Sequence, residues 1–153
     1  VLSTCITALM MTALEFIVFI TFMAIFRVMP EISIVYFPIL FIFEFLIIVG
    51  LSAALSALNV YFRDVQFIWR LIVQVGFFAT PILYPITIFP ENVQWIVMLN
   101  PMAQILTLTR DCTLYGIPPE PLNLTYIALS TLFVLLLGYF IFDRLEPKFA
   151  EAI

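Results

Sequence analysis

The chain has 153 residues, of which 65% are hydrophobic and 10% charged, with a formal net charge of −4. Soluble globular chains hold about 25% charged and 45–50% apolar residues, so this composition excludes an ordinary soluble domain. Six basic residues spread over the whole length make no nucleic-acid footprint, and the lack of histidine removes the commonest general base and metal ligand.

Four apolar blocks are each long enough to cross a bilayer, which takes about 20 residues at 1.5 Å of rise per residue. They run from about Cys5 to Phe26, Ile34 to Leu58, Phe67 to Phe89 and Leu122 to Phe142. Continuous runs of this kind predict an all-α integral membrane bundle and not a β-barrel, whose strands alternate over about ten residues. The chain opens on Val1 and enters the first span almost at once, without the charged start of a signal peptide. It is therefore expected to be the C-terminal portion of a longer protein and a single transmembrane domain.

The first span, about 5–26, carries Glu15 near its middle and ends at the polar break Arg27–Glu31. The second, about 34–58, carries Glu44 and closes on small residues, Gly50, Ser52, Ala53, Ala54, Ser56 and Ala57. Small residues let another membrane helix approach closely, which is a packing signal first. The polar turn Asn59–Val65 follows. Span three then runs over about 67–85, broken at its far end by Pro81 and Pro85, because no helix keeps its hydrogen-bond ladder through two prolines four apart.

Residues 86–121 form a proline-rich stretch with two helix-like pieces, Val93–Leu99 and Met102–Leu108, joined at Asn100-Pro101. Pieces this short suit re-entrant or interfacial helices, which lie at membrane depth only where protein or a water-filled cavity shelters them. The fourth span, about 122–142, is interrupted only by Gly138 and stops at Asp143–Lys148. Cys5 falls in a span and Cys112 in a predicted loop, so the two cysteines build neither a disulfide framework nor a metal site. Lys and Arg set orientation. Arg63, Arg70, Arg144 and Lys148 lie on one side, Arg27 and Arg110 on the other. The 59–66 turn and the C-terminus are therefore expected in the cytoplasm, with 86–121 facing outward.

Four segments in order, Asn59–Val65, Ala79–Pro85, Leu99–Pro101 and Phe142–Glu151, resemble the membrane subunit of an ABC-2 type exporter. The nearest branch is the permeases that move polysaccharide, O-antigen, capsule or teichoic acid. The resemblance implies six spans in the whole protein with two re-entrant helices before the last, of which this chain holds the last four spans and that pair. It implies a homodimer that binds two copies of a separate ATP-binding subunit, a glycan or lipid-linked cargo, contact with membrane lipid, and residence in the cytoplasmic (inner) membrane. No cofactor is expected in the chain itself: ATP belongs to the partner, and no G-x-x-x-x-G-K-[ST] stretch occurs here. The chain is thus expected to be a transport subunit and not an enzyme.

Each candidate residue carries two readings. Asn59, Tyr61, Arg63 and Asp64 either couple the ATPase partner to spans two and three or simply cap the turn. Pro81, Pro85, Asn100 and Pro101 are either the hinges of an outward gate or plain helix breaks. Phe77, Phe78, Tyr84, Phe89 and Trp95 either offer flat faces for a sliding glycan or form an interfacial aromatic belt. Glu15 and Glu44 are either polar sites beside a transport path or protonated acids hydrogen-bonded between helices. They leave two alternatives to the polysaccharide exporter: an ABC-2 exporter of drugs or lipids, and an ion-coupled carrier using Glu15 and Glu44. The chain lacks the inverted pair of broken helices that favours a carrier. An intramembrane enzyme would need both acids within about 3 Å of a reacting atom.

Overall fold

In the computed structural model, residues 2–27, 32–62 and 64–146 are described. Among these residues, six α-helices follow in chain order: α1 (Leu2–Ile25), α2 (Phe37–Tyr61), α3 (Val65–Ala79), α4 (Glu91–Met98), α5 (Pro101–Arg110) and α6 (Pro121–Leu145). A 3-10 turn over Ile32–Tyr36 leads into α2, and a π-helical turn over Asp111–Tyr115 extends α5. The starts of α2, α5 and α6 each hold a proline in the first turn. Proline suits that place because the first helical N–H groups have no partner within the helix.

The fold is organised around α2 and α6. On α6 the buried residues Ile127, Thr131 and Gly138 recur at helical spacing on one face; on α2 the matching set is Leu40, Ile47, Gly50, Ala54 and Ala57. The two helices touch backbone to backbone where Gly50 meets Gly138. A Cβ on Gly138 would lie 2.7 Å from the Gly50 carbonyl carbon, and one on Gly50 would lie 2.9 Å from the Val134 carbonyl oxygen. The short α5 leans into the groove beside this crossing. Leu40, Ile47, Ile105, Leu108, Cys112 and Ile127 form one buried cluster, with Tyr36, Phe43, Leu51, Met102, Leu124 and Val134 packed around it.

Cys112 corrects one sequence expectation. It is buried in that core as a free thiol and does not lie in a loop, because the chain continues helically past Arg110 and turns only at Gly116. There φ is +66°, a left-handed conformation that glycine adopts without steric penalty. The Ser33 hydroxyl donates to the Gly116 carbonyl at 2.6 Å and ties this corner to the start of α2.

Helices α1 and α3 flank α2 loosely. Among the described side chains of α1, Met23 is the buried apolar one, and α3 buries none. Large apolar residues stand exposed on both and along the outer face of α6, among them Ile17, Phe22, Leu71, Val75, Phe133 and Phe140. Water does not tolerate an apolar surface this continuous; lipid or a neighbouring protein does. The stretches Ile32–Tyr61 and Pro121–Leu145 are long and apolar enough to cross a membrane, whereas the apolar stretches Leu9–Ile25 and Val65–Ala79 are shorter. The third helix therefore ends earlier than the apolar run suggested: α3 stops at Ala79 because Pro81 and Pro85 cannot donate to the ladder, and it spans about 22 Å at 1.5 Å per residue. The two short pieces of the 86–121 stretch form as α4 and α5, with their junction at Leu99-Asn100.

Candidate functional site: a hydrogen-bonded break and a polar groove

The two helix breaks lie together. Beyond α3 the chain has lost its ladder, and the carbonyls of Pro81, Ile82 and Tyr84 face a single cation. The Arg110 guanidinium donates to them at 3.1, 3.0 and 3.4 Å. Arg110 is the basic residue of the last turn of α5, a position from which Arg reaches unpaired carbonyls. The Tyr84 hydroxyl folds back to donate to the Phe78 carbonyl, and Gln94 Nε2 donates to the Phe89 carbonyl at 2.8 Å.

Asn100 serves both breaks. Its Oδ1 accepts from the Met102 N–H at 3.0 Å, which caps α5, and its Nδ2 donates to Thr80 Oγ1 at 3.1 Å. Thr80 and Pro81 are themselves buried. From α6 the Tyr126 hydroxyl donates to the Leu99 carbonyl at 2.6 Å. Of the expected hinge residues, Pro81, Asn100 and Pro101 thus share one knot, while Pro85 sits exposed four residues downstream. Sequence reasoning missed Arg110, Thr80 and Tyr126 as members. Replacing Asn100 with Ala should loosen the start of α5 by about 1 kcal/mol, the usual worth of a side-chain N-cap. Amide exchange at Met102 and Gln104 should then be roughly fivefold faster, with Ile47 and Ile127 unchanged.

On α3 the polar residues Gln66, Arg70 and Gln74 recur every fourth position, so they share a stripe. An open groove of about 500 Å³ runs along it, lined by Trp69, Arg70, Val73, Gln74, Phe77 and Phe78. The Phe77 and Phe78 rings meet edge to face at 5.6 Å and those of Tyr84 and Phe89 at 5.5 Å. Trp95 stands exposed on α4. The five expected aromatics therefore divide into the groove pair, the pair at the break, and Trp95 alone.

At the other end of α2, the Tyr61 hydroxyl donates to the Leu145 carbonyl at 3.0 Å and fixes the ends of α2 and α6 to each other. Asn59 lines a small cleft with Ser56, Gln66 and Trp69, and its buried Oδ1 has no hydrogen-bond partner among the described residues. Asp64 is exposed just before α3. Arg63 lies outside the described residues, as do Pro147 and Lys148.

Glu15 is exposed on α1 and lines a cleft of about 310 Å³ with Phe16, Phe37, Thr109 and Arg110. Glu44 is half-buried on α2 in a separate narrow cleft, and Thr12 borders both. No group of acids, cysteines or histidines that could hold a metal ion occurs among the described residues. Asp111 follows Arg110 in the π turn. Burial pushes its carboxyl above the usual carboxylate range, against the opposing pull of the Arg110 guanidinium. A group with a raised folded-state pKa binds its proton more tightly when folded, so stability falls as pH rises from the ordinary carboxylate value through the raised one. Thermal unfolding of the wild type should follow that slope in mildly acidic solution, and Asp111→Asn should flatten it.

These features define an all-helical integral membrane protein with a polar, hydrogen-bonded break beside its main helix pair. The chain belongs to the ABC-2 type transporter family, whose membrane-domain profile matches residues 1–114. It is 33% identical over 150 residues to an O-antigen export system permease protein RfbA of Klebsiella pneumoniae, covering 93% of this chain and 56% of that protein. It is 32% identical over 126 residues to the O-antigen export system permease protein RfbA of Myxococcus xanthus, covering 81% of this chain and 48% of that protein. It is 22% identical over 97 residues to the polysialic acid transport protein KpsM of Escherichia coli, covering 63% of this chain and 38% of that protein. The chain thus spans about half the length of these O-antigen export relatives.

Proposed function

We propose that the protein containing this chain is the membrane subunit of an ATP-driven exporter of O-antigen or a related polysaccharide. The observation that carries this reading is the likeness to O-antigen export permeases over 93% of the chain. The physical features are those the task needs. Helices α1, α2, α3 and α6 serve as spans, and α4 with α5 dips back from the exterior, sheltered by α6 through Tyr126 and by the break through Arg110. The α3 groove supplies aromatic faces and a few polar groups, which suit a long sugar chain that must slide and not stick. The chain performs no bond chemistry. A separate ATPase binds at the 59–64 turn, and the Tyr61–Leu145 tie passes its motion to α2 and α6 together. Two copies line one path, with the C-termini in the cytoplasm of a cell whose inner membrane holds the pair.

The test is reconstitution of the full-length permease with its ATPase in vesicles loaded with lipid-linked glycan. ATP-dependent appearance of glycan on the far side is expected. Transport that persists without the ATPase and follows a proton gradient would transfer the reading to a carrier built on Glu15 and Glu44, and movement of lipid or drug with no glycan would move it to another ABC-2 branch. Cysteines placed at Asn92 and Glu120 should react with an impermeant reagent from outside, and one at Asp64 only after permeabilisation.

A further inference from the structure

Between α5 and the start of α6 lies a further, smaller pocket of about 210 Å³, lined by Met98, Gln104, Thr107, Leu108, Asp111 and Asn123. It is separate from the α3 groove, and none of its residues figures in the candidate path. Gln104, Thr107 and Asp111 fall at helical spacing on one face of α5 and its π extension, while Asn123 comes from the first turn of α6.

The polar groups here are not consumed by the fold. Gln104 Nε2 is held by the Met98 carbonyl at 3.0 Å, but its buried Oε1 has no donor among the described residues. The Thr107 hydroxyl donates to the Ala103 carbonyl at 2.8 Å, which leaves its oxygen free to accept. The Asp111 carboxylate and the Asn123 amide make no side-chain hydrogen bond among those described, and both are half-buried. The pocket is therefore rich in acceptors and no Lys or Arg lines it, so it suits a ligand that brings donors and carries no negative charge.

We propose that this pocket holds a single neutral sugar ring of the exported glycan by its hydroxyl groups, a reading that rests on the polysaccharide function proposed above. The volume equals about seven waters at about 30 Å³ each, which is the scale of one pyranose. Planar amide and carboxylate ends suit paired donors such as vicinal hydroxyls, and Met98 with Leu108 supplies an apolar wall for the C–H face of the ring. A bound divalent cation fits less well, since calcium takes six to eight oxygens and the pocket offers one carboxylate. Lying between α5 and α6, beside the Tyr126–Leu99 bond, the pocket would grip cargo as it passes the break.

The experiment uses the full-length permease–ATPase complex in nanodiscs, with free D-mannose and D-galactose as probes in saturation-transfer NMR. Transfer to at least one sugar is expected, falling at least fivefold in Asn123→Leu and in Thr107→Val while the yield of intact complex stays constant. The isosteric Thr107→Val keeps the fold testable should Asn123→Leu assemble poorly. No transfer to either sugar, equal transfer in both variants, or a signal abolished by chelator and restored by calcium would each overturn the sugar site. Export of polysaccharide by the wild-type complex is scored in parallel: export with no pocket effect sinks this inference alone, and absence of export sinks the exporter reading beneath it.

Discussion

Gly138→Ala should be among the most damaging single methyl additions this chain can receive, lowering its stability in the membrane by about 3 kcal/mol, the upper end of overpacking effects. The reason is what the new Cβ would strike. It falls 2.7 Å from the Gly50 carbonyl carbon and 3.0 Å from the Gly50 Cα, and a backbone clash cannot be relieved by turning a side chain. Helices α2 and α6 must separate or slide, and the core cluster of Leu40, Ile47, Ile105 and Ile127 straddles the same pair. Van der Waals contact is the principal force between helices in lipid, so a gap opened here has no hydrophobic collapse to close it. The internal control is Gly76→Ala. No atom lies within 4 Å of a Cβ at that site, and Ala is the better helix former by about 0.5–1 kcal/mol. Titration of the reconstituted protein with denaturing detergent should move the two midpoints in opposite directions. Equal shifts, or a silent Gly138→Ala, would show that the crossing is looser than the geometry describes.

That contrast between glycines also marks how far a sequence can be read. The run from Gly50 to Ala57 announces a close helix contact because small residues have few other reasons to cluster in a membrane helix. Nothing in it names the partner, and Gly138 reads from sequence only as an interruption of an otherwise clean span. The long helices and the proline break after α3 were legible because apolar length and proline act locally, although the apolar run carried the expected span past Ala79, where the helix stops. The pair α4 and α5 was legible for the same reason, from two short apolar pieces and an Asn-Pro break. The contents of the break were not. Asn100 carries a visible N-cap signal, yet its second bond to Thr80 spans 20 residues. The acceptors for Arg110 are backbone carbonyls, which every residue has and no side-chain pattern advertises. Cys112 was misread because the turn after Arg110 is set by Gly116, beyond the π turn that continues α5, and not by any proline before it.

Arg110→Gln should release the end of α3. In the wild type one guanidinium supplies donors to the Pro81, Ile82 and Tyr84 carbonyls, and hydrogen bonds to a charged group are worth about 1.5–3 kcal/mol each. These bonds share one side chain and the longest is weak, so the sum overstates the loss; about 3 kcal/mol of local stability is the expected effect. Water cannot fully replace the lost donors where the segment is sheltered by α5, and glutamine reaches one carbonyl at most. The prediction is local. Amide exchange at Ile82, Ile88 and Phe89 should quicken by at least tenfold, with α2 and α6 unmoved at their crossing. Arg110→Lys should recover only part of the protection, because an ammonium is a compact point charge without the planar fork that spans several acceptors. If Pro81, Pro85, Asn100 and Pro101 are the hinges of an outward gate, the same variant in reconstituted vesicles should leak small ions with no ATP present, while its ATPase partner hydrolyses at the wild-type rate. Unchanged exchange in 82–89 would mean that the prolines alone hold this stretch in place and that the cation is incidental to it.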